Sequence, residues 1–245
     1  VEDRLYSDPD LAQFYDLDNG WGADLDYCMR LAQGAGSVLD LGCGTGPLLS
    51  RLAERCIAVG ADPAGAMIEI ARQRPGGDRM IWIVADARTL RLDRRFDLIV
   101  LTGHAFQVFL TEADQRAVIS TIAEHLAPTG RFVFDSRNPA EAEWRGWTPD
   151  LTQRSLHHPR LGKIAAWNEA SQNEATGIVT YHTYYEVVST GQRFSAASQI
   201  RFTAKDRIAA LLDEGGLAVD AWLGDWSGNA YTDASADIIP VGRLR

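Results

Sequence analysis

From residue 38 onward, short apolar runs alternate with stretches of helical period. Val38-Leu39-Asp40-Leu41 is a compact run that ends at a glycine cluster. Residues 47–55 then read as a helix, with Pro47 in the first turn, where its missing N–H costs little. Residues 57–61 form a second strand, closed by Asp62-Pro63. A helix follows over 64–73, with Met67, Ile68 and Ala71 on one side. Residues 80–84 and 96–101 read as the third and fourth strands. Over 112–126, Val118, Ile119, Ile122 and Leu126 recur at three- and four-residue steps, the mark of an amphipathic helix. Pro128-Thr129-Gly130 breaks that helix, and 131–135 is the fifth strand. Continuous apolar strands separated by helices predict a doubly wound, mostly parallel α/β sheet covered on both faces. Its crossovers should be right-handed. Ligands of such sheets lie beyond the carboxyl ends of the strands. That directs attention to 40–46, Asp62, Asp86, 102–106 and 135–138.

The pattern changes near Pro139. From about 160 to 202 the period drops to two: Phe194, Ala196, Ser198, Ile200 and Phe202 share a mostly apolar face, opposite Arg193, Gln199 and Arg201. Residues 178–188 are rich in β-branched and aromatic side chains, and turn signals sit at 171–177 and 189–192. These features predict a small antiparallel meander of about three strands, inserted after the fifth core strand. Thr203-Ala204-Lys205-Asp206 reads as a capping-box variant. It opens a helix that buries Ile208, Leu211 and Leu212 and ends at Gly215-Gly216. Residues 217–223 and 238–243 are the last two strands, paired as a hairpin. The chain thus divides into an N-terminal helical lid segment (1–30), a core (31–150 and 203–245) and an inserted antiparallel β subdomain (151–202).

Composition narrows the function. The 245 residues are 46% hydrophobic and 23% charged, an ordinary globular balance. With 24 Lys+Arg against 33 Asp+Glu the net charge is −9, which disfavours nucleic acid as a partner. Cys28, Cys43 and Cys56 are odd in number and lack a CxxC pair, so neither a disulfide framework nor a cysteine zinc site is expected. A reducing, cytoplasmic setting is expected instead. His157 and His158 are adjacent without spaced partners, so no metal is expected. The polar, acidic residues 1–10 do not resemble a signal peptide, and the longest apolar runs, 81–85 and 98–101, are too short to cross a bilayer. No membrane partner is expected.

The most informative residues are Asp40-Leu41-Gly42-Cys43-Gly44-Thr45-Gly46. A strand delivers the chain to a turn from which side chains are nearly absent, so backbone can approach a ligand closely. A dinucleotide fingerprint would place glycine where Pro47 stands. Asp40 would also repel a pyrophosphate and attract a ligand cation. The loop therefore favours a positively charged nucleoside ligand without phosphate. This segment resembles the first motif of class I S-adenosylmethionine-dependent methyltransferases, and further markers follow in order: Asp62, Ala85-Asp86-Ala87 and Phe96-Asp97-Leu98-Ile99-Val100-Leu101. The resemblance implies a Rossmann-like seven-stranded sheet whose last strand is antiparallel, with S-adenosyl-L-methionine as cofactor. It places Asp40 and Gly42 near the methionine amino group, and Gly44 and Gly46 where the nucleoside needs room. Asp62 is implied at the ribose, Pro63 and Met67 near the adenine, Asp86 and Ala87 at its amino edge, and Thr102 at the methionine part. Tyr15 or Trp21 would close the pocket from the N-terminal segment.

The expected activity is transfer of a methyl group to an N or O atom of a small molecule. Alternatives are a protein or tRNA methyltransferase and a non-catalytic cofactor-binding protein; a nucleotide-dependent oxidoreductase is disfavoured by Pro47 and Asp86. Arg137 and Asn138 are candidates for an acceptor's polar group, and Trp167, Tyr181 and Tyr185 for its apolar wall. Similarity to small-molecule methyltransferases implies that the inserted strands cover the acceptor or join two copies, giving a monomer or homodimer. His104, just past the fourth strand, is the candidate general base, because histidine titrates near neutrality. Replacing His104 by Ala is expected to lower turnover and leave cofactor affinity largely intact; unchanged turnover on the true acceptor would remove it from the mechanism.

Overall fold

The computed structural model describes residues 3–52 and 55–245. Four short helices come first: α1 (Arg4–Ser7), α2 (Pro9–Ala12), α3 (Tyr15–Asp18) and α4 (Ala23–Leu31). The α/β core follows as β1 (Ser37–Leu41), α5 (Pro47–Leu52), β2 (Ile57–Asp62), α6 (Gly65–Gln73), β3 (Ile81–Val84), β4 (Phe96–Leu101), α7 (Glu112–His125) and β5 (Leu126–Phe134). The expected helix over 47–55 is thus seen as α5, and its positions 53 and 54 lie outside the described residues. A two-residue strand, β6 (Ser136–Arg137), continues the fifth strand past Asp135. After the single turn α8 (Pro149–Thr152) come β7 (Arg154–His158), β8 (Gly162–Gln172), β9 (Ile178–Val187) and β10 (Arg193–Arg201). The chain closes with α9 (Lys205–Glu214), β11 (Leu217–Leu223) and β12 (Asp237–Leu244).

The main sheet runs β11-β12-β5-β4-β1-β2-β3, with β6 also pairing β12. β1 lies parallel to both β2 and β4, whereas β12 is antiparallel to β5 and β11. The strand order therefore reverses between β1 and β4, and the carboxyl ends of those two strands open a crevice. Each face of the sheet is covered, as its continuous apolar strands require. On one face Leu39, Leu41 and Ile99 pack with Val118, Ile119 and Ile122 of α7 and Leu211 and Leu212 of α9. On the other, Val38, Leu98 and Val100 pack with Leu25 and Cys28 of α4 and Leu48, Leu49 and Leu52 of α5.

The inserted sheet has four strands, in the order β10-β9-β8-β7, rather than about three. The additional strand, β7, reads Arg-Ser-Leu-His-His and carries only one apolar side chain, so alternation gave no signal for it. His158 there accepts backbone hydrogen bonds from Arg160 and Leu161 through Nδ1, holding the following turn. The N-terminal helices dock on the inner face of this sheet, where Leu5, Leu11 and Phe14 bury against Ile164, Ala166, Tyr185 and Ala196. The Phe14 ring stacks on Tyr185 at 4.5 Å between centroids.

The expected capping box at 203–206 does not form. α9 has Ala204 at its N-cap with no side-chain cap, and the Thr203 hydroxyl instead accepts a hydrogen bond of 2.8 Å from Gln115 of α7. A buried amide donor competes successfully for that oxygen.

A close approach holds β2 against β3. The Trp82 indole lies over the backbone of Gly60, where an added Cβ would fall 2.6 Å from the ring. Trp82 Nε1 donates to the Gly77 carbonyl at 2.7 Å, which fixes the indole in place. Gly60→Ala is expected to lower stability by about 1–3 kcal/mol through overpacking. Combining it with Trp82→Leu should recover part of that loss. Urea unfolding of the two variants checks both statements, and purely additive losses would contradict the contact.

Candidate active site

β1 delivers Asp40 to the crevice, and the chain then turns through Gly42, Gly44 and Gly46 at φ of +70°, +53° and +70°. Side chains strain in that left-handed region, so these positions need glycine. The Gly42 and Cys43 amides donate to the Ala61 carbonyl, and the Gly44 amide donates to Asp62 Oδ2 at 2.9 Å. A Cβ at Gly44 would lie 3.7 Å from the Tyr15 ring. One at Gly46 would lie 2.3 Å from the Trp82 indole, so Gly46 makes room for that tryptophan and not for a nucleoside. Thr45 ties the loop to α3: its hydroxyl donates to Asp16 at 2.6 Å, and Arg74 bonds the Thr45 carbonyl and hydroxyl while pairing with Asp16.

Beyond the loop lies a cavity of about 850 Å³, walled by the ends of β1 and β4, the N-terminal helices and the inner face of the small sheet. Its carboxylates are Asp18, Asp24, Asp40, Asp135, Glu143 and Asp237; its cationic groups are His104, Arg137 and Arg154. Both arginines are already paired, Arg137 to Glu143 at 2.8 Å and Arg154 to Asp18. Arg137 also donates to Gln107 Oε1 at 3.0 Å and lies 5.1 Å from the Trp147 ring centroid. Tyr185 donates to Asp18 at 3.1 Å, and the Tyr181 and Tyr6 hydroxyls meet at 3.1 Å.

Electrostatics set Asp40 apart. No group among the described residues donates a hydrogen bond to its carboxyl. Burial, reinforced by the charges of Asp62 and Asp24, pushes its pKa up to about 8. Burial also raises Asp62, against the two backbone amides of Ala64 and Gly44 that its carboxylate accepts. For His104, burial alone would lower the pKa. The charge of Asp135 and the hydrogen bond to Asp237 outweigh burial, and the net shift is upward.

Comparison with known proteins agrees with this geometry. Residues 38–130 match a family described as a methyltransferase domain. The chain is 29% identical over 216 residues to a cypemycin N-terminal methyltransferase from a Streptomyces species, spanning 84% of this chain and 82% of the relative. It is 27% identical over 233 residues to the dTDP-4-amino-2,3,4,6-tetradeoxy-D-glucose N,N-dimethyltransferase of Saccharopolyspora spinosa, spanning 88% of each. The crystal structure of an S-adenosylmethionine-dependent methyltransferase from Clostridium acetobutylicum superposes with a TM-score of 0.77 at 18% identity, covering 96% of this chain and 98% of that one. The chain is built as a class I S-adenosylmethionine-dependent methyltransferase.

In this methyltransferase the cavity brings together Tyr15, Asp40, Gly42, Thr102, His104, Arg137, Tyr181 and Tyr185. Three residues singled out in the sequence stand elsewhere. Trp21 does not line the cavity: it packs half-buried against the core beside α4 and α5, with its indole donating to Asp26 at 2.7 Å and the Arg51 guanidinium 3.7 Å above the ring. Asn138 spends its amide on the carbonyls of Asp233 and Ser235 and accepts from Ala140, so it pins the loop before β12 instead of facing an acceptor. Trp167 stacks on Tyr184 at 5.1 Å on the other face of the small sheet, because neighbours along a strand point to opposite sides. Asp62, Pro63, Met67, Asp86 and Ala87 border the loop and the end of β3 but do not line the cavity. Met67 packs with Ala12 and Ala64, Ala87 lies in the main core, and the Asp86 carboxylate is held by Arg88.

Sequence reasoning passed over Asp18, Asp24, Arg154 and Asp237. Asp18 sits in the polar turn α3, Asp24 in the first turn of α4, Arg154 on the unforeseen strand, and Asp237 at the start of the last strand, far along the chain from His104. None lies in a motif.

Asp40 carries a pH signature. Its carboxyl is more easily protonated folded than unfolded, so the folded chain holds the extra proton between its ordinary pKa of 3.8 and about 8. Stability tied to this group is complete below pH 3.8 and declines as pH rises toward about 8. Urea unfolding across that range is expected to show less decline for Asp40→Asn than for the unaltered protein. An identical pH profile would refute this electrostatic assignment.

Proposed function

We propose that this methyltransferase transfers a methyl group from S-adenosylmethionine to an amine nitrogen of a small molecule. The observation that carries this reading is the cavity's lining: six acidic residues face three cationic groups, both arginines among them are already paired, and Asp40 has no hydrogen-bond partner among the described residues. Such a cavity favours positively charged guests. Its donor set fits the cofactor, because a buried carboxyl without a partner suits an ammonium group. The two relatives support nitrogen as the accepting atom, one being named for an N-terminus and one for an amino sugar.

When bound, the cofactor would supply a sulfonium-activated methyl group for in-line attack by an amine's electron pair, the thioether being the leaving group. The chain's own residues bind, align and exclude water. Asp40 would hold the methionine ammonium and Thr102 the same end of the molecule. Asp62 would take the ribose hydroxyls and Asp86 the adenine amino group, with Pro63, Met67 and Ala87 beside the base. Tyr15, against Gly44, closes the loop side of the cavity. Arg137, Tyr181 and Tyr185 line the side where the acceptor would sit. The docked N-terminal helices cover part of that volume, and reduced contact with water strengthens the charge interactions inside it. Alignment of the two reactants can lower the barrier by roughly 7–11 kcal/mol. His104 would accept the proton that an ammonium acceptor must lose. The outer face of the small sheet, with Arg193 over Trp167 beside the Tyr184 stack, supports a contact between two copies. Three free cysteines fit a reducing, cytoplasmic setting.

Transfer of labelled methyl to a panel of amines and to their matched alcohols tests the reading. Transfer to amines is expected; transfer confined to alcohols would overturn the choice of nitrogen, and no cofactor binding would overturn the whole reading. Asp40→Asn is expected to weaken cofactor binding at least about tenfold, which is about 1.4 kcal/mol. Trp167→Ala, on the far face of the small sheet, should leave it unchanged. Calorimetric titration reads both.

A further inference from the structure

His104 is held from three directions. Gly103 and His104 both adopt left-handed backbone, at φ of +68° and +59°, a conformation a histidine rarely takes. It is fixed there by its own amide, which donates to Asp135 Oδ1 at 2.9 Å. The ring Nε2 lies 2.9 Å from Asp237 Oδ1 and 3.5 Å from Asp135 Oδ2. Asp135 follows β5 and is buried; Asp237 opens β12 and is brought across from Arg137 by the β6–β12 pairing. Nδ1 has no hydrogen-bond partner among the described residues, and the residue lines the cavity. The groups that bear on the ring are therefore Asp135, Asp237 and Arg137, the last opposing the other two.

A histidine whose Nε2 faces two carboxylates carries its hydrogen there, and its other nitrogen then presents a lone pair. The same logic orients a catalytic imidazole in hydrolytic triads, where the carboxylate fixes the tautomer and stabilises the imidazolium. We infer that Asp237 is a positioning residue which, with Asp135, holds the His104 hydrogen on Nε2, so that Nδ1 takes the proton from an ammonium acceptor. This rests on the reading that the acceptor is an amine. The step balances: one N–H bond of the acceptor breaks, its electron pair stays on nitrogen as the nucleophilic pair, and the proton bonds to Nδ1. The imidazolium is stabilised by the two carboxylates and returns its proton to water before the next turnover. The upward net shift of His104 is consistent with that stabilisation.

The test replaces Asp237 by Asn, a partly exposed site better suited to substitution than buried Asp135. The His104 titration is followed by NMR in the protein without acceptor, and the pH dependence of kcat is measured with a methylated amine. Loss of the carboxylate is expected to lower the His104 pKa by about one unit. It should move the acid limb of the kcat profile down equally and lower the plateau at least about tenfold, with cofactor KM unchanged. Asp237→Glu should restore part of the plateau. A His104 titration that stays in place overturns the positioning role. A titration that moves while the acid limb does not overturns the proton role. Wild-type protein that methylates no amine overturns the functional reading and the proton role with it, even where the titration shifts.

Discussion

The wall of the cavity depends on one helical turn tied in two directions. In α3, Asp16 is bound to the glycine loop through Thr45 and Arg74, and Asp18 is bound to the small sheet through Arg154 and Tyr185. Tyr15 of the same turn stands against Gly44. These side chains thus join the cofactor loop to the inserted strands. In the Asp18–Arg154 pair the carboxylate is nearly buried and the guanidinium half-buried, so desolvation offsets part of their attraction. Its contribution is chiefly one of geometry: it sets where the lid sits. Apolar packing of Leu5, Leu11 and Phe14 on the small sheet supplies the attraction, and the ion pairs select one docked position.

That closure explains the electrostatics. Carboxylates at the ends of β1, β5 and the start of β12 would be ordinary surface charges on an open sheet. Beneath a docked lid, Asp40 keeps its proton to about pH 8. Asp135 and Asp237 become strong enough neighbours to outweigh the burial that opposes a charged His104. The lid thus turns a patch of acidic residues into a cavity with definite proton affinities. Charge concentrated in a low-dielectric space acts more strongly than the same charge in water.

The parts legible in the sequence are those governed by local repetition. Strands buried on both faces read as unbroken apolar runs, and α7 showed its period plainly. The glycine loop announced itself because three left-handed positions in five residues leave no other residue type. The illegible parts depend on partners distant in the chain. Gly46 looks like a ligand-facing glycine until Trp82 is found beside it. Asn138 looks available until the loop before β12 claims its amide. Along the inserted strands, period two separates Trp167 and Tyr184 from Ala166 and Tyr185, but it does not say which face turns inward. Both faces carry aromatics, so only the docking of Phe14 decides it. β7 stayed hidden because two of its three inward side chains, Arg154 and His158, are polar and act through hydrogen bonds.

The two sheets divide the chemistry of the site. The main sheet contributes single carboxylates at strand ends, whose positions are fixed by backbone pairing and tolerate little change. The small sheet contributes a rail of polar groups satisfied among themselves: Arg154 donates to Asn168 at 2.8 Å, and Asn168 donates to Thr183 at 2.8 Å. Such a rail presents shape and hydrogen-bonding capacity without adding uncompensated charge, because each buried polar group already has its partner. Substitutions along it would reshape the small-sheet wall of the cavity while leaving Asp40 and the glycine loop untouched. The separation follows from topology, since the rail lies within an insertion after the fifth core strand and shares no backbone pairing with β1 or β4. The helix α3 touches both the glycine loop and the small sheet, so change in either must remain compatible with it.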